Sequence, residues 1–296
     1  MLSVIIPTLN EEKYLPLLLE SIKKQDFKPR TRTSSVRGMD YEIIVADAGS
    51  TDKTVEIAKS YGCKVVVGGL PAKGRNEGAK VAQGDIFLFL DAEVVLSENF
   101  IEKALSEFKE RKLGIASCGL EPITGNKIYK LSYDLLYNWP VRFLENVFPY
   151  ASNFILVKRE VHQRIKGFDE EIKLAEDHSY ARKAAEITKF GFLKSVKLTL
   201  SPRRFQYEGW LWISMKYYFC NFYNVFFGDV RSDIFKYELK IRNERKEVSK
   251  TKRVIFAVLK LPLCIIWPIM AWLGWLLIFL VFIPRLISRR FKKEKE

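Results

Sequence analysis

The first two thirds of the sequence predict an α/β domain in which a mostly parallel β-sheet is flanked by helices. Two observations support this fold class. Short β-branched and aromatic runs alternate with stretches in which apolar residues recur at helical spacing, as in consecutive βαβ units. Clusters of turn-forming polar residues follow several of these runs, so that each predicted strand ends in a loop that opens a helix. A chain of 296 residues, 48% of them hydrophobic, can bury the core that such a sheet needs.

Five strands and two helices are predicted in detail. The strands are LSVII at 2–6, YEIIVA at 41–46, KVVV at 64–67, IFLFL at 86–90 and GIASC at 114–118. The first helix follows from the helical spacing of Leu15, Leu18 and Ile22, with Pro16 in a first turn that tolerates proline. The second helix is predicted to begin at the cap residue Ser97 and to run through ENFIEKALSEFKER.

Three polar clusters stand where predicted strands end: PTLNEE at 7–12, DAGSTD at 47–52 and DAE at 91–93. In sheets of this kind, ligands bind outside the carboxyl ends of the strands, so these clusters are expected to meet at one edge. The segment 26–40 is rich in Ser, Thr and Arg without an apolar period, which predicts a basic surface loop.

The net charge of +14 indicates an anionic partner, which nucleic acid, a nucleotide diphosphate or acidic lipid headgroups would each provide. The four cysteines have no short paired spacing, so neither a zinc site nor a disulfide framework is predicted, and a reducing, cytosolic setting is expected. The first residues show a strand pattern and no basic leader or cleavage site, so no secretory signal is predicted and the N-terminal part is expected to stay in the cytosol.

The composition changes after about residue 200. Aromatic residues dominate 205–227, which is predicted to lie at a membrane interface, although a protein-core location is an alternative. The run 261–283 carries no charge and exceeds the roughly 20 apolar residues that cross a hydrocarbon core. Basic clusters flank this run on both sides, so the positive-inside rule does not fix its orientation.

Pro262, Pro268 and Gly274 leave two forms of membrane embedding open, a single crossing and a bent re-entrant hairpin. The predicted organisation is therefore an α/β domain at 1–204, aromatic interfacial helices with a basic linker at 205–253, a membrane-embedded segment at 254–288 and a basic tail at 289–296.

Asp91 and Glu93 end the most apolar strand of the sequence. An unpaired buried carboxylate costs several kcal/mol, so two of them are expected to meet water, donors or a cation. In extended geometry, residues two apart point to the same side, and the pair can share a hard cation such as Mg²⁺ or Mn²⁺. Such an ion keeps waters and takes its other ligands from a diphosphate.

Four motifs in order carry a resemblance: SVIIPTLNEEKYL at 3–15, IIVADAGSTDKT at 43–54, GRNEGAKVAQGDIFLFLDAE at 74–93 and GFDEEIKLAEDHSYARK at 167–183. Together they resemble a family 2 inverting glycosyltransferase with the GT-A fold. A looser match is SPRRFQYEGW at 201–210, where the family has an arginine and aromatic motif. The sequence departs from the family in Glu93, which replaces the usual Asp, and in Arg203–Arg204, which replaces the common Gln-x-x-Arg-Trp.

The resemblance implies nucleotide-sugar contacts in the first two loops. The first loop contributes Pro7, Thr8, Asn10 and Glu11, with Glu11 in direct contact. Asp47 matches an aspartate that accepts hydrogen bonds from a pyrimidine base edge, and the alternative is a turn-capping aspartate.

Arginines and Asp91 are assigned to the diphosphate side of the site. Arg75 offers N–H donors to phosphate at the start of a helix, and the alternative is a solvated surface arginine. Arg203 and Arg204 are expected to neutralise diphosphate charge, with lipid phosphate as the competing use. Asp91 would bind the donor through the metal.

Glu176 and Asp177 are the candidate catalytic residues, at the start of a predicted helix. Asp177 matches the family's general base, which takes a proton from the acceptor hydroxyl during a single inverting displacement. The alternative is an acidic pair that only complements a helix N-terminus. His162 and His178 are expected to be structural.

The resemblance and the uncharged run 261–283 together predict a membrane-attached glycosyltransferase at the cell membrane, with its catalytic domain facing the cytosol. It would use a UDP- or GDP-linked sugar with Mg²⁺ or Mn²⁺, and a lipid-linked or glycan acceptor held by the aromatic region 126–154. Alternatives are a polyprenyl-phosphate glycosyl synthase, whose anionic acceptor needs no base, and an inactive membrane scaffold. Nucleic-acid binding is not expected, since the basic residues crowd the membrane-flanking segments, and a nucleotidyltransferase would need a glycine-rich loop after the first strand.

Overall fold

An eight-stranded mixed sheet is the centre of the computed structural model, which describes residues 1–25, 40–123, 130–131, 133–201, 210–232, 234, 273 and 276. The strands are β1 (Leu2–Thr8), β2 (Tyr41–Asp47), β3 (Lys64–Val67), β4 (Ile86–Leu90), β5 (Val94–Val95), β6 (Ile115–Pro122), β7 (Phe154–Lys158) and β8 (Phe190–Leu200). Their order across the sheet is β3-β2-β1-β4-β7-β6-β8-β5. All five predicted strands are confirmed, as β1, β2, β3, β4 and β6.

The sheet is less parallel than the sequence predicts. Pairs β1–β2, β1–β4, β2–β3 and β6–β8 are parallel, whereas β4–β7, β6–β7 and β5–β8 are antiparallel. The difference arises from β7, which enters the sheet between β4 and β6 and runs against both. The βαβ pattern that predicted a parallel sheet describes only the half built from β1 to β4.

Helices cover both faces of the sheet. They are α1 (Leu15–Lys23), α2 (Thr54–Ser60), α3 (Pro71–Val81), α4 (Phe100–Glu110), a π-helical turn (Asp134–Asn138) followed by α5 (Trp139–Phe143), α6 (Arg159–Arg164), α7 (Glu176–Ile187) and α8 (Trp210–Phe226). Side chains alternate along β1, so that Val4 and Ile6 pack with α1 and α4 while Ile5 packs with α3, α6 and α7. The sheet therefore separates two apolar cores.

The first predicted helix is confirmed and the start of the second is wrong. Helix α1 has a proline in its first turn, as predicted. Helix α4 begins at Phe100, after Asn99 in a left-handed conformation with φ of 55°. Ser97 lies before this start and offers its carbonyl to the amide of Phe100. Asparagine tolerates the left-handed region better than most residues, so the chain turns into α4 at Asn99.

Helix α3 packs unusually close to β1 because it carries a glycine at the contact. A Cβ atom on Gly78 would lie 2.4 Å from Cγ2 of Ile5. Real Cβ atoms do not approach other carbons this closely, so a side chain here would push the helix away from the sheet. Gly78 thus sets the height of α3 above the sheet, and with it the position of Arg75 one turn earlier.

Helix α8 contains most of the aromatic segment predicted for a membrane interface. Its Cys220 is 2% exposed, whereas Phe226 and the following Phe227 are 46% and 71% exposed, so the helix buries one side and presents aromatic rings at its end. In the part of the chain that the structure describes, no helix has both the length and the apolar character to cross a bilayer. The run 261–283 lies outside the described residues except for Leu273 and Leu276, as does nearly all of the predicted loop 26–40.

We expect Gly78→Ala to lower the free energy of unfolding by about 1–3 kcal/mol, because the added methyl group overpacks the contact with Ile5. Helix propensity acts in the opposite direction by about 1 kcal/mol. The measurement is urea unfolding followed by circular dichroism. Lys80→Ala, at a position 65% exposed on the same helix, is the control and should change stability by less than about 0.5 kcal/mol. A higher unfolding midpoint for Gly78→Ala would contradict the close-packing argument.

Candidate active site

The loops after β1 and β2 lie together, as their positions at strand ends predict. Pro7 and Thr8 end β1 beside Ala46 and Asp47 of β2. Asn10 has a left-handed φ of 56°, and its Oδ1 accepts a hydrogen bond of 2.9 Å from the amide of Thr51. The two loops are therefore fastened to each other by side chain to backbone bonds.

Asp47 organises this pair of loops. Its carboxylate accepts hydrogen bonds from the Thr8 hydroxyl (2.9 Å), the amides of Gly49 (3.0 Å) and Ser50 (2.8 Å), and the Ser50 hydroxyl (2.6 Å). A carboxylate has about four acceptor positions, and four donors are present. The geometry is that of the turn-capping alternative, and a base contact, which stays a prediction, would have to displace one of these donors.

Glu11 continues the first loop toward α1. Its amide donates to the Thr54 hydroxyl at 2.7 Å, at the start of α2. Its carbonyl accepts from the amides of Tyr14 and Leu15 as α1 begins. The backbone of Glu11 is thus held by both helices that follow the two loops.

Arg75 is buried, in contrast to the solvated-arginine alternative. It is the fifth residue of α3, past the free amides of the helix start, so its predicted placement at an N-terminus is wrong. The side chain is 4% exposed, and its guanidinium donates to Asp91 Oδ1 at 2.8 Å and to Glu176 Oε1 at 2.6 Å. Burial lowers the pKa of Arg75, but Asp91 and Glu176 raise it by more, so it stays cationic.

Asp91 and Glu93 occupy a turn between β4 and β5, so the extended geometry predicted for them is wrong. Asp91 Oδ2 accepts a hydrogen bond of 2.7 Å from the side chain of Asn153, and its amide donates to the Asn153 carbonyl at 3.2 Å. Glu93 offers its carbonyl to the amide of Ser201, beside the pairing of β5 with β8. Sequence reasoning missed Asn153, because no motif surrounds this residue before β7.

The carboxylate oxygens of Asp91 and Glu93 fit a hard divalent ion that takes few of its ligands from the protein. Within the described residues, no group of three or more acidic, His or Cys side chains could hold a metal by itself. Each carboxylate oxygen of Asp91 accepts one hydrogen bond, from Arg75 or from Asn153, and the side chain is 30% exposed, which leaves acceptor positions toward solvent. Mg²⁺ and Mn²⁺ take carboxylate, diphosphate and water oxygens as ligands, so the chemistry of the Asp91 and Glu93 carboxylates fits such an ion.

Glu176 and Asp177 begin α7, directly after Ala175 in a left-handed conformation with φ of 64°. Burial raises the pKa of Asp177 to about 7; the positive charge of Arg75 opposes this shift and the negative charge of Asp91 adds to it. Burial likewise raises the pKa of Glu176, with Arg75 acting against it. A carboxyl group that titrates near neutral pH suits general base catalysis.

Both histidines lie in aromatic surroundings. The ring of His178 lies on Tyr150, with 3.7 Å between ring centroids, and burial lowers its pKa to about 3. His162 Nδ1 is 2.8 Å from the hydroxyl of Tyr180, and burial lowers its pKa to about 4. These neutral, packed rings are what a structural role requires. The predicted diphosphate ligands Arg203 and Arg204 lie outside the described residues.

The structure therefore brings the predicted residues into two groups. The first group is the pair of loops around Asp47. The second is the charge cluster in which Arg75 joins Asp91 to Glu176, with Asp177 beside it. The first group lies where β1 and β2 end, and the second combines two ion-paired carboxylates with a buried carboxyl group whose pKa is raised to about 7.

Known proteins share this architecture. The chain is 28% identical over 196 residues to the poly(ribitol-phosphate) beta-N-acetylglucosaminyltransferase TarS of Staphylococcus aureus, covering 62% of this chain and 32% of that relative. The chain thus spans about a third of the length of this curated relative. The structure of S. aureus TarS 1-349 in complex with UDP-GlcNAc matches with a TM-score of 0.52 and 25% identity, covering 68% of this chain and 58% of that chain.

Two further relatives differ in their named acceptors and ligands. A Methanococcus voltae protein named dolichyl N-acetyl-alpha-D-glucosaminyl phosphate 3-beta-D-2,3-diacetamido-2,3-dideoxy-beta-D-glucuronosyltransferase is 30% identical over 120 residues, 38% of this chain and 35% of that protein. The mannosyltransferase PcManGT of Pyrobaculum calidifontis, solved with GDP-Man and Mn²⁺, has the same fold, with a TM-score of 0.56 and 21% identity over 73% of this chain and 61% of that chain.

Residues 3–165 match the family model described as Glycosyl transferase family 2, and this range contains both loops, Arg75 and the Asp91–Glu93 turn. Because the match covers more than half of the 296 residues, the chain belongs to glycosyl transferase family 2.

Proposed function

We propose that this protein transfers a sugar, with inversion, from a UDP- or GDP-linked donor to a hydroxyl group of a glycan or lipid-linked acceptor. The observation that carries the proposal is the buried charge cluster, in which a carboxyl group with a pKa of about 7, Asp177, lies beside the Arg75 ion pairs. A relative that binds UDP-GlcNAc supports the donor class. The dolichyl-linked substrate named for the M. voltae relative supports a lipid-linked acceptor.

In this proposal Asp177 is the general base. Its ionised carboxylate takes the proton of the acceptor hydroxyl while the hydroxyl oxygen forms a bond to the anomeric carbon. The bond from that carbon to the diphosphate breaks on the opposite side, and its electron pair leaves with the diphosphate. One displacement inverts the configuration. Glu176 remains paired with Arg75 and holds the start of α7 against β4.

Asp91 and Glu93 are the residues that would hold Mg²⁺ or Mn²⁺. When bound, such an ion neutralises charge that develops on the leaving diphosphate. Arg75 uses two of its five N–H donors on Asp91 and Glu176, which leaves donors for a phosphate oxygen. The loops around Asp47 would hold the nucleoside, through Pro7, Thr8, Asn10 and Glu11, and Arg203 and Arg204 would add positive charge to the diphosphate site.

The proposal includes a location at the cell membrane, with the catalytic domain facing the cytosol. Its support is the uncharged run 261–283 and its basic flanks, together with exposed aromatic rings at the end of α8. The proposed organisation follows the composition of the chain: catalytic domain 1–204, interfacial helices and linker 205–253, membrane-embedded segment 254–288 and basic tail 289–296.

Asp177→Asn tests the base. We expect transfer to a hydroxyl acceptor to fall by about 10²-fold or more, with donor affinity unchanged, because the amide cannot take the proton. The measurement is transfer of labelled sugar from a panel of nucleotide sugars, in membranes containing the full chain, followed by organic extraction. Glu186→Gln, at an exposed position on the same helix, is the control. Substantial activity in Asp177→Asn would instead favour a phosphate acceptor, as in a polyprenyl-phosphate glycosyl synthase.

The pH dependence follows from the same residue. Since burial raises the pKa of Asp177 from 3.8 to about 7, the ionised base predominates only above that pH. We expect kcat/KM to rise about tenfold per pH unit below pH 7 and to level off above it. Initial rates from pH 5 to pH 9 in constant-ionic-strength buffers check this. A profile that stays flat down to pH 5 would exclude Asp177 as the titrating base.

Asp91→Asn and Glu93→Gln should each weaken Mn²⁺ binding in the presence of UDP and abolish metal-dependent transfer, because each removes a charged oxygen ligand. Glu93→Asp, which restores the family's usual residue, should retain both properties. Titration calorimetry with Mn²⁺ and UDP measures the binding directly. If a chelator leaves sugar transfer unchanged while the nucleotide still binds, the metal assignment is wrong. If no nucleotide binds at all, the result favours the alternative of an inactive membrane scaffold.

A further inference from the structure

A short segment after α8 crosses the start of the acidic helix α7. This segment, residues 228–231, is called the strap here. Val230 forms an isolated antiparallel bridge with Leu174, and its carbonyl accepts a hydrogen bond of 2.8 Å from the amide of Lys173. The strap lies beyond residues 3–165, which match the family model, and beyond residue 210, where the last motif of the resemblance ends.

Asp229 is the residue of the strap that contacts α7 itself. Its Oδ2 accepts a hydrogen bond of 2.9 Å from the Ser179 hydroxyl, and its Oδ1 accepts one of 2.7 Å from Arg182 Nη2. Ser179 is 3% exposed and lies in the same helical turn as Asp177. One carboxylate therefore holds the first two turns of the helix that carries the proposed base.

The loop before α7 is fastened by the same strap. Arg231 donates to Asp169 at 2.7 Å and to Glu171 at 2.6 Å. Between these ion pairs and α7 lies Ala175 in the left-handed region, a conformation that is strained for a residue other than glycine. A strained residue keeps its conformation only when its surroundings hold it.

An apolar cluster adds to this support. Leu174 and Ala175 pack with Cys220 of α8 and with Val230 of the strap, and all four are buried. The helix α8 and the strap together thus cover the residues that lead into Glu176 and Asp177. Contacts on both sides of Ala175 fix the direction in which α7 starts.

We infer that Asp229 is a positioning residue for the transfer reaction, which holds α7 so that the carboxylate of Asp177 faces the acceptor. This inference rests on the proposed function, since Asp177 acts there as the base. It adds to the machinery of the site a residue that none of the family motifs contains. The competing explanation is a role of Asp229 in stability alone.

Kinetics of Asp229 variants in the full chain separate the two explanations. We expect Asp229→Asn to lower kcat about tenfold or more while the KM for the nucleotide sugar stays within twofold, since the strap contacts α7 and the loop before it, whereas Asp47 organises the loops proposed to hold the nucleoside. Asp229→Glu should recover part of kcat, because it keeps the charge that Arg182 needs. Asp85→Asn, a surface aspartate 86% exposed in an ion pair with the N-terminus, is the matched control and should behave as wild type.

A double-mutant cycle tests the contact directly. Arg182→Gln should lower kcat by a similar factor. The double variant Asp229→Asn with Arg182→Gln should have a kcat close to that of either single variant, because both substitutions remove the same ion pair. Multiplicative losses in the double variant would overturn the inference. So would a fall in kcat that matches a fall in the amount of folded protein.

Hydrogen exchange provides a readout that needs no activity. We expect amides of residues 176–182 to exchange faster in Asp229→Asn than in Asp85→Asn, while amides of β1 and β4 keep their protection. Unchanged exchange at 176–182 would overturn the inference. If the wild-type chain transfers no sugar from any donor, the proposed function fails, and the exchange comparison still decides whether Asp229 positions the start of α7.

Discussion

The guanidinium of Arg75 joins carboxylates that the sequence separates widely, one at the end of β4 and one at the start of α7. A buried cation cannot exist without such partners, and each partner loses its compensation when another is removed. Ion pairs of this kind contribute little net stability but strongly restrict which arrangement of the chain is tolerated. The position of α7, and therefore of Asp177, depends on this contact.

Other features serve the same arrangement. Gly78 lets α3 approach β1, which brings Arg75 to the height of Asp91. Asn153 holds the second oxygen of Asp91 and fixes the direction in which that carboxylate points. Burial, together with the negative charge of Asp91, raises the pKa of Asp177 by more than Arg75 lowers it. Burial then sets the pKa of Asp177 near neutrality, where a carboxylate can both accept and release a proton.

Local patterns predicted the parts of this structure that depend on local physics. Strands β1 to β4 and helix α1 follow from side-chain periodicity and turn residues. The pairing of β7 against β4 depends on contacts between segments about 65 residues apart, which periodicity does not encode. The same holds for Arg75: a motif identified the residue, but its burial between two acids is set by tertiary packing. Ser97 was predicted to cap α4, but the helix begins after Asn99, because the turn into the helix is set by the left-handed backbone at that residue.

The bonding of Asp47 bears on how such a site would discriminate among nucleotides. Because its carboxylate already accepts from Thr8, Gly49 and Ser50, a base edge that donates to it must replace an internal hydrogen bond. Such an exchange adds little affinity. A base that presents an acceptor at that point is disfavoured, since its lone pair would face the carboxylate with no proton between them. Asp47 would therefore provide selectivity by rejecting the wrong base. Because it adds little affinity for the correct base, it would not slow the release of the nucleotide product.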